Sequence, residues 1–242
     1  MWKYFHILNS SAHEAMLEKA ANHTPQVSWP SRGTWLVLAL VVTLAARAIP
    51  TWYVLGRIWK NQLGGEARLS YALFHDLVLL SLGLGLALSA PRLSGLRVGA
   101  VREHWRGVLL VCGGPILLTA VVYPNLPERP FAEQSWSMWA ISPLAQDLVF
   151  MAFLYGQLER TFPGCVHPRI ALSWALILTA LFFALWHAPN FFSDMSGGYG
   201  AFQLIYTALG FVLVGLSRQW TRSFLYATIT HSAVNVIAWS TR

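Results

Sequence analysis

Charged side chains are scarce in this chain. They make up 11% of its 242 residues, whereas hydrophobic side chains make up 55%. Soluble domains carry about 25% charged residues, so the composition excludes an ordinary soluble domain and indicates a protein that lies in lipid. At roughly 20 residues for each span, the length accommodates about seven membrane-spanning helices with short loops. It leaves no room for a second domain.

Cysteine is scarce as well. The chain has two, Cys112 in an apolar run and Cys165 in a loop. Two isolated cysteines exclude a disulfide framework and a cysteine-based metal site. The formal net charge of +7 does not indicate a nucleic-acid partner, because the basic residues are spread over loops between apolar runs. Basic loops beside membrane spans explain this pattern more simply, and we expect no nucleic-acid binding.

The apolar runs predict an all-α fold, a polytopic transmembrane helix bundle of about seven spans. The predicted spans are 34–49, 70–90, 107–123, 136–158, 170–187, 201–216 and 224–239. Residues 1–33 form a polar N-terminal segment, in which a capping box at Ser11 predicts a short interfacial helix. Residues 34–242 are predicted to form one transmembrane domain. The arginine-rich loop 91–106 is expected on the cytoplasmic side, and this places the N-terminus there too.

One carboxylate stands out within these runs. Asp147 is the only charged residue between Glu133 and Glu159, and Gln146 precedes it. A carboxylate in the middle of a span costs roughly 2.5–3.5 kcal/mol on insertion scales, so by default it marks a functional site. A second acidic residue, Asp76, follows His75 near the start of a span. There it can reach the membrane interface, and we predict a structural role for that pair.

Two later runs each contain a histidine. Residues four apart share a helix face, and the pairs at this spacing are Asp147 with Met151, Phe183 with His187, and His231 with Asn235. A carboxylate and an imidazole can hold and deprotonate a water molecule, or hold a metal ion that does so. A second imidazole with an amide nearby can stabilise the oxyanion formed on a peptide carbonyl. The pattern therefore indicates a hydrolase for a peptide bond in or near the bilayer.

The order of these residues resembles the CAAX protease and bacteriocin-processing family, also called the CPBP or Abi family. Its members are intramembrane metalloproteases, related to the type II CAAX prenyl endopeptidases. They carry Glu-Glu-x-x-x-Arg on one span, Phe-x-x-x-His on the next and His-x-x-x-Asn on a later one. Residues 183–187 and 231–235 match the second and third motifs, and the resemblance extends over about 92–239. The first motif departs from the pattern, because Gln146, Asp147 and Met151 replace its glutamates and its arginine.

The resemblance implies roles for five residues. His187, with Asp147 or Gln146, would position a water molecule or a metal, and His231 with Asn235 would stabilise the oxyanion. A divalent metal such as zinc would be held by Asp147, His187 and His231. The amide of Gln146 cannot take a proton, and Asp147 is one methylene shorter than glutamate and about 100° further round the helix. The altered motif is consistent with either a retuned or a decayed active site.

The resemblance also implies a substrate and a location. It predicts an endopeptidase that hydrolyses a peptide bond in a membrane protein or a lipidated peptide. The enzyme would be a multi-pass protein in the lipid bilayer of a prokaryotic cell membrane. The alternative is a catalytically silent family member that acts as a membrane binding or scaffold protein. A small transporter is a third hypothesis, although the sequence lacks the inverted repeats typical of transporters.

Overall fold

The computed structural model describes residues 29–48, 67–96, 101–125, 137–191 and 197–240. In chain order its α-helices are α1 (Trp29–Ala48), α2 (Ala67–Ser89), α3 (Pro91–Ser94), α4 (Val101–Val122), α5 (Ser137–Asp147), α6 (Tyr155–Thr161), α7 (Trp174–His187), α8 (Gly197–Thr221) and α9 (Leu225–Ser240). The predominantly helical structure confirms the all-α prediction. The predicted interfacial helix at Ser11 lies outside the described residues.

The helices begin at different residues from the predicted spans, and at two of them the difference has a local reason. α1 begins at Trp29 rather than at Thr34, because Pro30 falls in its first turn, where proline needs no hydrogen-bonded N–H. α7 begins at Trp174 rather than at Ile170. A short antiparallel hairpin of β1 (Cys165–His167) and β2 (Leu172–Ser173) precedes it.

Only part of the predicted membrane topology is supported. Among the described residues, Ser31–Ala48 and Trp105–Asn125 are long and apolar enough to cross a membrane. Leu73–Ser89 and Trp174–His187 are shorter apolar helices. The two long stretches are mostly exposed, and large apolar side chains such as that of Leu110 point outward. The prediction of seven spans is therefore not confirmed.

A long helical run through the centre of the protein positions the site. It comprises α5, a π-helical segment Leu148–Leu154 and α6. Every side chain of the π-helical segment is buried. α2 packs closely against this run because Gly83 has no side chain, and a Cβ atom there would lie 2.9 Å from Cβ of Leu148. Glycine is thus what allows the two helices to approach.

The far end of this run is fixed by a buried arginine. The Arg218 Nη2 group of α8 donates a hydrogen bond of 2.7 Å to the carbonyl oxygen of Leu93. Its guanidinium also lies 5.2 Å from the centroid of the Tyr155 ring. Nearby, an exposed ion pair of 2.8 Å joins Arg222 to Glu159. These contacts fix α8 and α3 against the end of the run. They therefore stabilise the end of the π-helical segment that is distant from Asp147.

Candidate active site

The buried Asp147 forms a pair with the half-buried His231. Asp147 is the last residue of α5, and His231 lies in the second turn of α9. The His231 Nδ1 atom lies 3.4 Å from Oδ1 of Asp147, at the long end of the hydrogen-bond range. An ionised carboxylate only accepts hydrogen bonds, so Nδ1 of His231 carries the proton and Nε2 carries the lone pair. The carboxylate therefore orients the imidazole and fixes its tautomer.

The second oxygen of Asp147 is also buried. Within the described part of the chain, Oδ2 has no hydrogen-bond partner. A buried carboxylate oxygen without a partner costs free energy, so the site leaves an acceptor for a water molecule or a substrate group.

His187 is oriented by its own helix. Its Nδ1 atom lies 2.9 Å from the carbonyl oxygen of Phe183, one turn earlier. A carbonyl can only accept, so Nδ1 donates the hydrogen bond and Nε2 of His187 carries the lone pair. Phe183 and His187 thus share a helix face, as their four-residue spacing predicts, and they are in direct contact.

The Phe183 ring contacts both imidazoles. Its centroid lies 4.7 Å from that of His187 and 5.9 Å from that of His231, edge to face in both cases. Phe211 stacks on the same ring at 4.2 Å. Aromatic packing of this kind restricts ring motion, so Phe183 holds both imidazoles beside one apolar surface.

Gln146 and Asn235 lie on the same helices as Asp147 and His231, respectively. The Gln146 Nε2 group donates a hydrogen bond of 2.8 Å to the Ser142 hydroxyl. Its Oε1 atom is buried and has no hydrogen-bond partner in the described residues. Asn235 lies one turn after His231 on α9, and its side chain is partly buried. Gln146 therefore adds a second unpaired acceptor beside Asp147.

The π-helical segment begins directly after Asp147. Its backbone hydrogen bonds run from residue i to residue i+5, and such segments occur frequently at functional sites. The four-residue spacing that predicts a common face for Asp147 and Met151 therefore does not apply here. Met151 is fully buried, and a Cβ atom at Gly215 would lie 3.0 Å from its Cε atom. Met151 belongs to the core.

The described residues do not assemble a metal centre. No group of three or more His, Cys, Asp or Glu side chains among them is placed to hold a metal ion. Asp147 contacts His231 at 3.4 Å, and His187 is hydrogen-bonded to the backbone of its own helix. As arranged, the three predicted ligands do not fit a metal ion held by all of them. Zinc binding stays a prediction, which elemental analysis of the purified protein would test.

A second buried pair lies outside the predicted site. The His75 Nδ1 atom lies 3.2 Å from Oδ1 of Asp76. Asp76 is 1% exposed, so its carboxylate lies inside the protein. It shares the buried face of α2 with Gly83, two turns further on, and so faces α5. This pair resembles the Asp147 pair in chemistry but not in location.

One further cation lies close to the site and was not among the predicted site residues. Arg47 is the penultimate residue of α1, and its guanidinium carbon lies 5.0 Å from the centroid of the Trp186 ring. That ring meets His187 edge to face at 4.7 Å. The signal in the sequence was an arginine inside a predicted span, which is itself unusual in lipid.

Residues 129–237 match a protein-family model described as type II CAAX prenyl endopeptidase Rce1-like. The matched segment contains all five predicted site residues, including His187 and His231. Comparisons with curated proteins and with solved structures give no match. The match confirms the resemblance indicated by the motifs over this segment, which is less than half of the chain.

Proposed function

Starting from a type II CAAX prenyl endopeptidase Rce1-like domain over residues 129–237, we propose that this protein is a membrane endopeptidase. It hydrolyses a peptide bond in a membrane protein or a lipidated peptide. The observation that carries this proposal is the contact between the buried Asp147 and the half-buried His231. A carboxylate that fixes the tautomer of an imidazole is a recurrent way to prepare a general base.

His231 is the general base of the proposed reaction. Its Nε2 atom takes a proton from water, and the imidazolium that forms is stabilised by the Asp147 carboxylate. The resemblance implies a role for His231 in oxyanion stabilisation, but its Nδ1–H is directed to Asp147. The pairing therefore supports a role in proton transfer. His187 also presents an Nε2 lone pair, which accepts a hydrogen bond from the same water molecule.

The proposed reaction balances in two steps. The water oxygen forms a bond to the peptide carbonyl carbon while one water proton moves to Nε2 of His231. The carbon–nitrogen bond then breaks, and His231 returns this proton to the departing amine. The products are a new carboxyl group and a new amino group. Gln146 takes no proton, and its unpaired Oε1 atom is left to accept a hydrogen bond from the substrate backbone.

The substrate enters from a membrane in this proposal. Large apolar side chains project outward from α1, α4, α7 and α8, including those of Leu44, Leu117, Leu181 and Leu209. Such faces are suited to contact with lipid tails. We propose a multi-pass protein with a cytoplasmic N-terminus, in which a lipid anchor or an apolar segment brings the substrate to the site. The family name points to a prenylated peptide.

A comparison of peptide termini in membranes tests this function. Membranes would come from cells that express the wild type, Asp147→Asn or Asp76→Asn at equal abundance, and new termini would be quantified by mass spectrometry. Asp76→Asn is the matched control, because it also removes a buried carboxylate beside a histidine. We expect a set of termini that disappears with Asp147→Asn and persists with Asp76→Asn.

The same experiment identifies the substrate, since the lost termini name the cleaved bond. Identical termini in the wild type and in Asp147→Asn would refute the peptidase. A phenotype that depends on the protein but not on Asp147 would then indicate the binding or scaffold alternative.

A further inference from the structure

Exposed arginines collect at one end of the helix bundle. The elements that carry them are α3, the start of α4, the end of α6, the loop of the β1–β2 hairpin and the turn after α8. Among the side chains that the structure describes, every exposed arginine belongs to this set. We call the set the basic end, and its members are Arg92, Arg106, Arg160, Arg169 and Arg222.

Direct contacts hold these elements together. The Trp220 Nε1–H group donates a hydrogen bond of 3.3 Å to the carbonyl oxygen of Ile170 in the hairpin. A Cβ atom at Gly107 in α4 would lie 2.8 Å from the same indole ring. The ion pair between Arg222 and Glu159 joins the turn after α8 to α6, and the hydrogen bond described above joins α8 to α3. The five arginines therefore share one end of the fold.

The basic end carries little negative charge. Glu159 is its one acidic side chain among the described residues, and Arg222 pairs with it at 2.8 Å. Arg92, Arg160 and Arg169 are exposed and make no ion pair with any described residue. A guanidinium binds phosphate through two parallel hydrogen bonds. This surface is therefore suited to several phosphate groups.

Arg222 stands where a glycine is usual. Its φ angle is 60°, in the left-handed region, in the turn that ends α8. Glycine adopts this conformation readily and is the common residue just after a helix, whereas a residue with a Cβ atom is disfavoured there. The chain thus places a charge at this surface against the local backbone preference. Replacement by glycine would remove the charge and suit the backbone.

Tryptophans and then large apolar side chains follow the basic end along the helices. Trp105 and Trp174 are 48% and 50% exposed. The exposed Leu109 and Leu110 come next in α4, and the exposed Leu181 follows in α7. Cations, then aromatic rings, then apolar side chains match the headgroups, the interface and the acyl tails of a membrane leaflet. An acidic protein partner would account for the cations but not for this order.

We propose that the basic end binds anionic phospholipids, with its guanidinium groups on the lipid phosphates. α9 begins at this end, and the six residues from Leu225 to His231 correspond to about 9 Å of helix. Bound headgroups would therefore lie close to the Asp147–His231 pair. The inference shares with the proposed function the location in a membrane but not the hydrolysis of a peptide bond, so either can fail without the other.

The test is native mass spectrometry of the full-length protein in detergent, titrated with phosphatidylglycerol or with phosphatidylcholine. The wild type should bind phosphatidylglycerol at least about tenfold more tightly. One arginine near a membrane surface contributes about a fivefold gain in affinity. The double variant Arg160→Gln/Arg169→Gln should therefore bind phosphatidylglycerol about 20-fold more weakly, with little change for phosphatidylcholine.

Two further variants control for net charge and for folding. Arg57→Gln/Lys60→Gln removes the same charge from the chain between α1 and α2, and its affinity should stay within about twofold of the wild type. Arg222→Gly should weaken phosphatidylglycerol binding about fivefold, while its unfolding temperature equals or exceeds that of the wild type. Loss of binding in a variant that remains folded separates lipid contact from damage to the fold.

Three results would overturn the proposal. Equal affinity of the wild type for the two lipids would show that the surface does not select anionic headgroups. Equal losses in the two double variants would reduce the effect to net charge. Binding of a soluble hexaglutamate peptide to the basic end, without any preference between the lipids, would assign this surface to an acidic protein segment instead. None of these results depends on whether a peptide is cleaved.

Discussion

The Asp147 carboxylate and the His231 imidazole meet at 3.4 Å although 84 positions separate them in the chain. The contact joins the end of α5 to α9. It gives the carboxylate a partner different from His187, which is the partner that the family resemblance implies. The other oxygen of Asp147 has no hydrogen-bond partner among the described residues. The two oxygens therefore have different roles, because one orients the histidine and the other is left to accept a hydrogen bond from a ligand.

Two substitutions separate the effect of the Asp147 charge on the cleavage rate from the effect of the carboxylate's position. Asp147→Asn keeps the shape but lets His231 adopt the other tautomer, and in a serine protease the equivalent change lowers kcat about 10⁴-fold. Asp147→Glu keeps the charge and moves it by one methylene. We expect a loss of about 10³–10⁴-fold for Asp147→Asn and a smaller loss for Asp147→Glu. The measurement is the initial rate of peptide cleavage in liposomes.

The ranking of these two variants is informative. Equal losses would mean that the position of the carboxylate matters as much as its charge. A more active Asp147→Asn would contradict the role of an ionised carboxylate partner for His231. Thermal unfolding of each variant in detergent is the control for folding.

Phe183 is predicted to affect catalysis more than its aromatic neighbour. Phe183→Leu removes the ring that contacts both His187 and His231, whereas Phe150→Leu removes one that contacts Phe183 and Trp186. Each lost aromatic pair costs about 0.5–1.5 kcal/mol, so both variants should unfold at lower temperature.

The rate of peptide cleavage distinguishes the two variants. Phe183→Leu should lower the rate roughly tenfold or more, because the imidazoles lose their common support. Phe150→Leu should lower it less. Similar rates for the two variants would show that Phe183 contributes only packing.

Much of the helical architecture could be predicted from the sequence. Apolar runs indicate helices directly, and the predicted run 201–216 lies within α8 (Gly197–Thr221). The sequence also indicates Asp147, His187 and His231 as candidate site residues, because they are polar groups in runs where polar groups are costly. Such residues stand out without any knowledge of the fold.

The pairing of the site residues could not be predicted in the same way. A four-residue spacing assumes an α-helix, and nothing in the composition of Leu148–Leu154 indicates the i to i+5 hydrogen bonds found there. The partner of Asp147 depends on how α9 packs against α5, which is tertiary information. The position of Arg47 over Trp186 could not be predicted for the same reason, because it depends on how α1 packs against α7.

Gly156 is predicted to be essential for stability. A Cβ atom there would collide with the carbonyl oxygen of Leu93, which is backbone and cannot turn aside. Gly156→Ala should therefore lower the free energy of unfolding by about 1–3 kcal/mol, the usual cost of overpacking. Gly113→Ala in α4 is the control, since nothing lies within 4 Å of a Cβ atom there.

The Gly113→Ala control should not lower the free energy of unfolding. Alanine is favoured over glycine within a helix by about 1 kcal/mol, so Gly113→Ala should be as stable as the wild type or more stable. Thermal unfolding in detergent measures both variants. An unfolding temperature for Gly156→Ala at or above that of the wild type would contradict the close approach of α3 to this helix.

Cys165 is predicted to react slowly with alkylating agents. It lies in β1, outside the helices, where burial and then the nearby Glu159 carboxylate raise the pKa of its thiol. Only the thiolate reacts, and a raised pKa means less thiolate at a given pH. In a Cys112→Ser background, the rate of reaction with iodoacetamide should therefore reach its midpoint at a higher pH than in the same protein unfolded in detergent. Glu159→Gln should move this midpoint down towards the unfolded value. A midpoint for the folded protein at or below the unfolded one would show that the hairpin does not bury Cys165.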